Sequence, residues 1–148
     1  MIPRVILVGG LPGSGKTPYL EGLRTAGWEI FDDFQANAHD NSPQFQKARR
    51  CGELIQALRE GLNCVVADMR LVCSDYQVEA EQVLRAHVGR IALEWRFFEN
   101  DAAQCEQNIR NAAGTRFPEP RLAKVREFSE KYSVPSDSVR MPVWRKQP

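Results

Sequence analysis

The sequence predicts an α/β fold, a three-layer domain with a mainly parallel five-stranded sheet. Two observations predict it. Short apolar runs alternate along the chain with amphipathic segments of helical spacing, which argues for parallel strands joined by crossover helices. The first run, Arg4 to Gly9, passes directly into a glycine-rich turn and then a helical pattern.

The elements follow in order. Arg4-Val-Ile-Leu-Val-Gly9 is apolar throughout, the pattern of a strand buried on both faces. Residues 16 to 26 carry Tyr19, Leu20 and Leu23 at helical spacing, with Pro18 in the first turn and Gly27 as the stop. Trp28 to Phe31 is the second strand, ending in Asp32-Asp33. Phe34 to Pro43 is polar and reads as loop or irregular helix. A helix is expected from about Gln44 to Glu60, with Leu54, Ile55 and Leu58 inward and Gly61 closing it.

Leu62 to Ala67 is the third strand, ended by Asp68-Met69-Arg70. Ser74 is the expected cap of the next helix, which should bury Val78, Val83 and Leu84 and stop near Gly89. Ile91 to Phe98 is the fourth strand, with Glu99 and Asn100 at its exit. Asp101 should cap a helix to about Asn111, and Ala112 to Pro120 reads as loop. A last helix, about Arg121 to Tyr132, leads to a short strand at Val139 to Trp144.

At 148 residues the chain reads as one domain spanning 1–148, a size that buries roughly 70% of the unfolded surface. It is 43% hydrophobic and 26% charged, an ordinary globular balance. A net charge of +1 gives no bulk attraction to nucleic acid, and no aromatic-basic stripe suggests single-strand binding. No apolar run reaches the roughly 18 to 20 residues of a membrane span, and none resembles a signal core, so the expected location is cytoplasmic. Cys51, Cys64, Cys73 and Cys105 form no CxxC pair, and Cys64 reads as a core thiol. His39 and His87 have no partnering pattern and are assigned no role.

The chemistry concentrates at strand exits. In an open parallel sheet, ligands sit beyond the carboxyl ends of the strands. Gly10-Leu11-Pro12-Gly13-Ser14-Gly15-Lys16-Thr17 matches GxxxxGK[ST] between a buried strand and a helix. Its glycines let backbone N–H groups converge on an anion, and the helix N-terminus adds positive potential. Lys16 is expected to bridge the β- and γ-phosphates of ATP, and the Thr17 hydroxyl to ligate Mg²⁺.

Either Asp32 or Asp33 can orient and deprotonate an acceptor hydroxyl, the other capping a turn, or both can be caps. Asp68 is a candidate for holding a water on Mg²⁺, for fixing the acceptor, or for forming a turn. Arg70 is a candidate acceptor-phosphate ligand or a solvated arginine. Arg110 and Arg116 flank a glycine-containing loop, where arginines can neutralise transition-state charge or stack on adenine, or simply face solvent. Lys47, Arg49 and Arg50 read as a solvated helix face.

These motifs resemble the small P-loop kinases grouped around polynucleotide 5′-kinase, zeta toxin and chloramphenicol phosphotransferase, over nearly the whole chain. Gly10 to Thr17 carries the resemblance. Phe31-Asp32-Asp33-Phe34 is similar to that group's R-D-D-Y, and Asn63 to Arg70 to its V-I-x-D-x-T-N strand. Trp95 to Asp101 and Asn108-Ile-Arg-Asn111 match its fourth strand and lid entry. The resemblance implies a sheet order of 2-3-1-4-5, Asp32 as catalytic aspartate, a lid at about 110–120, and Mg-ATP as donor.

Departures fall on the acceptor and transition-state side. Gln35 stands where polynucleotide kinases place an arginine, Met69-Arg70 replaces Thr-Asn, and Gly114 replaces the second lid arginine, with Arg116 two residues on. The donor pattern is intact. The expected activity is phosphotransfer from ATP to an unidentified hydroxyl acceptor. The alternative is a nucleotide-binding switch without efficient transfer.

Overall fold

The computed structural model describes residues 2–32, 34, 44–112 and 117–145. Its elements are β1 (Arg4–Gly9), α1 (Lys16–Thr25), β2 (Glu29–Phe31), α2 (Cys51–Arg59), β3 (Cys64–Ala67), α3 (Ser74–Val88), β4 (Ala92–Phe98), α4 (Ala102–Arg110), α5 (Glu119–Lys131) and β5 (Val139–Met141). The five strands form one sheet in the order β2-β3-β1-β4-β5, every pairing parallel. Parallel pairing brings all carboxyl ends to one edge.

Strand β1 lies in the centre because its sequence allows nothing else. Val5 to Val8 are completely buried, between β3 on one side and β4 on the other. The sheet is covered on both faces. Alternation along β4 sends Arg96 and Phe98 towards Tyr19 of α1, and Trp95 and Phe97 towards the opposite layer. There the Trp95 indole donates to Glu81 of α3, and Phe97 packs edge-on against Tyr132. Helices α1 and α2 both end in paired reverse bonds, Gly27 to Arg24 with Trp28 to Leu23, and Gly61 to Leu58 with Leu62 to Ala57. These Schellman turns swing the chain into β2 and β3.

The long helix expected from Gln44 to Glu60 is interrupted. A 3₁₀ turn at Phe45–Lys47 is followed by extended backbone at Ala48 (φ −61°, ψ 140°), and α2 begins only at Cys51. The cause is tertiary. The Glu79 carboxylate of α3 accepts from the N–H groups of Phe45 (2.7 Å) and Gln46 (3.0 Å). The buried Phe45 ring stacks on Phe34 at 4.7 Å.

Smaller corrections have equally local causes. Val78 is exposed, because the buried stripe of α3 runs through Tyr76, Gln77, Ala80, Val83 and Leu84. Ser74 is the first helical residue, and Cys73 takes the cap position without a side-chain bond. Asp101 does cap α4, accepting from the Gln104 N–H at 3.1 Å. Helix α5 starts two residues early, with Pro120 in its first turn. Strand β5 stops at Met141 because Pro142 has no N–H to donate, and the chain turns away.

Among the described residues no helix is long and apolar enough to cross a membrane. All four cysteines are free, and Cys51, Cys64 and Cys105 are buried in the core. Burial pushes the Cys51 thiol up to about 11 and those of Cys64 and Cys105 up to about 12. An unfolded thiol titrates near about 8.5. Below that pH the thiols' contribution to stability is complete. Above it the unfolded chain holds fewer protons than the folded one, so stability falls as pH rises towards 11–12. Thermal melts between pH 8 and 11 should show this decline, and replacing all three cysteines by alanine should flatten it. An unchanged slope in that variant would contradict the assignment of these thiols as buried and protonated.

Candidate functional site: a glycine turn held by a helix and the C-terminal segment

The turn that follows β1 is built by steric exclusion. A Cβ at Gly9 would lie 2.3 Å from the Phe97 ring. Gly13 and Gly15 adopt φ of +81° and +106°, the left-handed region that side chains disfavour. Space forbids a side chain there as well. A Cβ at Gly13 would meet the Cys105 carbonyl oxygen at 2.6 Å, and one at Gly15 the Trp144 Cβ at 2.5 Å. The Ser14 N–H closes the turn on the Leu11 carbonyl at 3.1 Å.

Helix α1 starts at Lys16, and the leading N–H groups of any helix lack carbonyls four residues back. The result is a concave set of backbone donors with the positive end of a helix behind it. The Lys16 ammonium folds over this turn, donating to the carbonyls of Gly10 (2.5 Å) and Leu11 (3.1 Å). The Ser14 hydroxyl is buried in the turn with no hydrogen-bond partner among the described residues. Buried hydroxyls are nearly always satisfied. A polar ligand at the turn is therefore compatible with Ser14 as well as with Lys16.

Two contacts that sequence reading did not assign hold this turn from outside. Asn108 of α4 is buried, and its carboxamide donates to the Gly13 carbonyl (2.8 Å) and to the Trp144 carbonyl. Its oxygen accepts from Gln104 Nε2 at 3.0 Å. The Trp144 N–H donates to the Ser14 carbonyl at 3.0 Å. One carboxamide thus ties the glycine turn to α4 and to the segment beyond β5. A signal existed: Asn108 shares the apolar stripe of Cys105 and Ile109, and a carboxamide on such a stripe needs polar partners. Nothing in the sequence said that those partners lie 95 residues upstream, at Gly13, and 36 residues downstream, at Trp144.

The next two strand exits carry the carboxylates. Register pairs Phe31 with Val66 and Val8 with Ala67, so Asp32, Asp68 and the glycine turn succeed one another along the edge. Asp32 is partly buried, and Asp33 lies outside the described residues. Asp68 is almost wholly buried. Its Oδ1 accepts from the Arg70 N–H at 2.8 Å, capping a 3₁₀ turn at Met69–Val72, and Arg70 Nη1 stands 3.6 Å away. The turn-forming role considered for Asp68 is therefore present, with the carboxylate still at the exit.

At the fourth exit the polar residues turn outward. Asn100 Nδ2 donates to Ser129 of α5, and the Glu99 N–H bonds to Met141. Arg110 is half-exposed at the end of α4 and faces Glu106 at 3.9 Å. Glu106 also pairs with Arg126 of α5 at 3.1 Å. The structure pairs Arg110 with Glu106 of its own helix. Arg116 and Gly114 lie outside the described residues, as do Gln35 and His39.

Of the basic cluster before α2, Arg50 is not a solvated face. Its guanidinium lies over the Phe31 ring, 4.4 Å from the centroid, and Nη1 donates to the Ile30 carbonyl at 3.4 Å.

Among the described residues no group of three or more His, Cys, Asp or Glu could hold a metal ion. Mg²⁺ is in general held by one or two protein oxygens together with substrate phosphates and water. Thr17, in the first turn of α1, and Asp68 are hard oxygen donors of that kind.

Asn108→Ala should loosen the turn. Two part-buried carbonyls lose their donor, which costs up to about 1–3 kcal/mol, and ATP affinity should fall along with the melting temperature. Asn108→Asp keeps the shape but loses the donors, and should behave alike. Isothermal titration with ATP and thermal melts check this, and wild-type ATP affinity in both variants would contradict it.

No family model matches the sequence, and no curated protein matches it. Solved structures do match in fold. A gluconokinase from Sinorhizobium meliloti 1021 is 18% identical, with TM-score 0.62, covering 99% of this chain and 85% of its own. A sugar kinase from Janibacter sp. HTCC2649 is 17% identical, with TM-score 0.59 and coverage of 99% and 87%. A fungal RNA kinase is 12% identical, with TM-score 0.62 and coverage of 99% and 77%. The sheet order, the parallel strands and the glycine turn between β1 and α1 agree with this likeness: the chain has the three-layer α/β fold of the small P-loop kinases.

Proposed function

We propose that the chain is an ATP-dependent phosphotransferase that moves the γ-phosphate of ATP to an acceptor hydroxyl. The observation that carries this reading is the glycine turn: two left-handed glycines, a helix N-terminus and Lys16 focused on one concave site. Two aspartates stand at the neighbouring exits. The solved structures of like fold include kinases of sugars and of RNA, which supports a hydroxyl acceptor.

In this reading backbone N–H groups of residues 13 to 17 bind the β- and γ-phosphates, and Lys16 exchanges its carbonyl contacts for phosphate oxygens. Asp32 orients the acceptor hydroxyl and takes its proton. The acceptor oxygen bonds to the γ-phosphorus as the bond from that phosphorus to the β–γ bridging oxygen breaks, and ADP leaves. Thr17 and Asp68 would hold Mg²⁺, which when bound neutralises charge on the β- and γ-oxygens. Arg110 and Arg116, on the proposed lid of residues 110–120, supply positive charge over the phosphates once Arg110 leaves Glu106. Asp33 and Arg70 complete the acceptor side.

One observation favours the second reading, a nucleotide-binding switch. Arg110 faces Glu106 of its own helix. An acceptor screen with labelled ATP separates the two, transfer to a hydroxyl compound supporting the first and binding or hydrolysis alone the second. Two variants sharpen it. Lys16→Ala should lose ATP binding or turnover with the fold intact. Asp32→Asn removes the base while keeping the shape, so ATP affinity should hold while single-turnover transfer falls by about 10²-fold or more. Wild-type transfer in Asp32→Asn would move the catalytic carboxylate elsewhere, with Asp68 next in line.

A further inference from the structure

We infer that Glu79 of α3 is a positioning residue for Asp32: it fastens the turn ahead of α2, and that turn holds the exit of β2 in shape. The inference rests on the transferase reading above for the work Asp32 does, while the hold on Asp32 is argued from packing alone.

Asp32 stands between two fixed points. Phe31 before it is the last residue of β2 and pairs with Val66 of β3. Phe34, just beyond it, donates its N–H to the Ala67 carbonyl at 3.4 Å, and its ring is completely buried. Backbone held on both sides leaves the carboxylate between them a narrow range of positions. Transfer chemistry depends on that range, because misplacing a reacting group by about 1 Å can cost about 10²-fold in rate.

One short segment grips both fixed points. The Phe45 ring stacks on Phe34 with centroids 4.7 Å apart, and the Arg50 guanidinium lies 4.4 Å from the centroid of Phe31. Arg50 Nη1 also donates to the Ile30 carbonyl at 3.4 Å. An unbroken helix would point residues five apart about 140° away from each other around its axis, so both could not face one strand exit. The extended backbone at Ala48 (ψ 140°) removes that conflict. The break in the expected helix is what lets Phe45 and Arg50 serve the same exit.

Glu79 maintains the break. Its carboxylate accepts from the N–H groups of Phe45 (2.7 Å) and Gln46 (3.0 Å). These are the leading N–H groups of the 3₁₀ turn, which a helix cannot satisfy by itself. A charged acceptor makes the stronger class of hydrogen bond. Tyr76, one turn earlier on the same face of α3, meets the Phe45 ring edge-on at 5.7 Å. Helix α3 therefore holds Phe45 by backbone and by ring. Glu81 of the same helix points instead to Trp95 of β4, accepting from its indole at 2.7 Å.

The test reads Asp32 itself and then its chemistry. Amide order parameters are measured by NMR on the whole chain for the wild type, Glu79→Ala, Glu79→Gln and Glu81→Ala. In Glu79→Ala the values at Asp32 and Phe34 should fall from the rigid range near about 0.85 to below about 0.6. Residues 13 to 17 should stay unchanged, with Mg-ATP affinity within about twofold of wild type. Glu79→Gln, whose amide oxygen can still accept, should fall between, and it carries the test if the alanine variant does not fold. Glu81→Ala loses a contact of the same helix, yet should leave Asp32 and Phe34 as they are. With a hydroxyl acceptor from the screen above, Glu79→Ala should lower kcat at least about tenfold while KM for ATP holds. Unmoved order parameters in Glu79→Ala would overturn the inference, as would equal loosening in Glu81→Ala or ATP affinity falling in step with kcat. A screen that finds no acceptor removes the transferase reading and leaves the order parameters to decide whether Glu79 holds Asp32, so the two fail separately.

Discussion

Everything at the candidate site depends on how closely other parts of the chain approach two left-handed glycines. Gly13 has the carbonyl of Cys105 where a Cβ would be, and Gly15 has Trp144 there. The turn is thereby buttressed by α4 on one side and by the segment after β5 on the other. An isolated glycine turn would lose considerable conformational entropy on ordering. Here the order is imposed by packing, and Asn108 fixes both supports with a single carboxamide. An anion meeting this turn finds its donors already aimed, which is the condition for strong binding with little reorganisation.

The parallel sheet turns that local arrangement into a site. Because β2, β3 and β1 run side by side in one direction, Asp32, Asp68 and the glycine turn emerge along one edge. The charges there are compensated pairwise. Asp68 is held by Arg70, Arg50 leans on Phe31 and Glu53, and Lys16 rests on two carbonyls. In the proposed reaction a polyanionic donor and an acceptor enter by exchanging these weak internal contacts for stronger ones, without exposing an unpaired buried charge. Arg110, at the end of α4, faces Glu106 of the same helix.

Much of the fold was legible because local and long-range signals agreed. Arg4 to Gly9 reads as a buried strand, and its complete burial follows from a position in the centre of the sheet. The exits of β2 and β3 were legible for the same reason, as was the Asp101 cap. What stayed hidden is tertiary in origin. The break at Ala48 is set by Glu79 and by the stacked pair Phe34 and Phe45, none of which alters the helical pattern of residues 44 to 60. Arg50 reads as part of a basic helix face until the Phe31 ring is found beneath it. Asn108 and Trp144 meet the glycine turn only after the chain has crossed the sheet, and no local spacing records that meeting.

The central claim is that the glycine turn receives the phosphates of ATP in the shape the protein already gives it. Amide NMR with Mg-ATP tests it most directly. The largest shifts should fall on the backbone N–H groups of residues 13 to 17, with the Asn108 carboxamide following, and the signals of β1 should stay near their unliganded positions. Saturable shifts centred elsewhere, for example on the surface formed by Gln77, Glu81 and Trp95 with residues 13 to 17 unmoved, would contradict it.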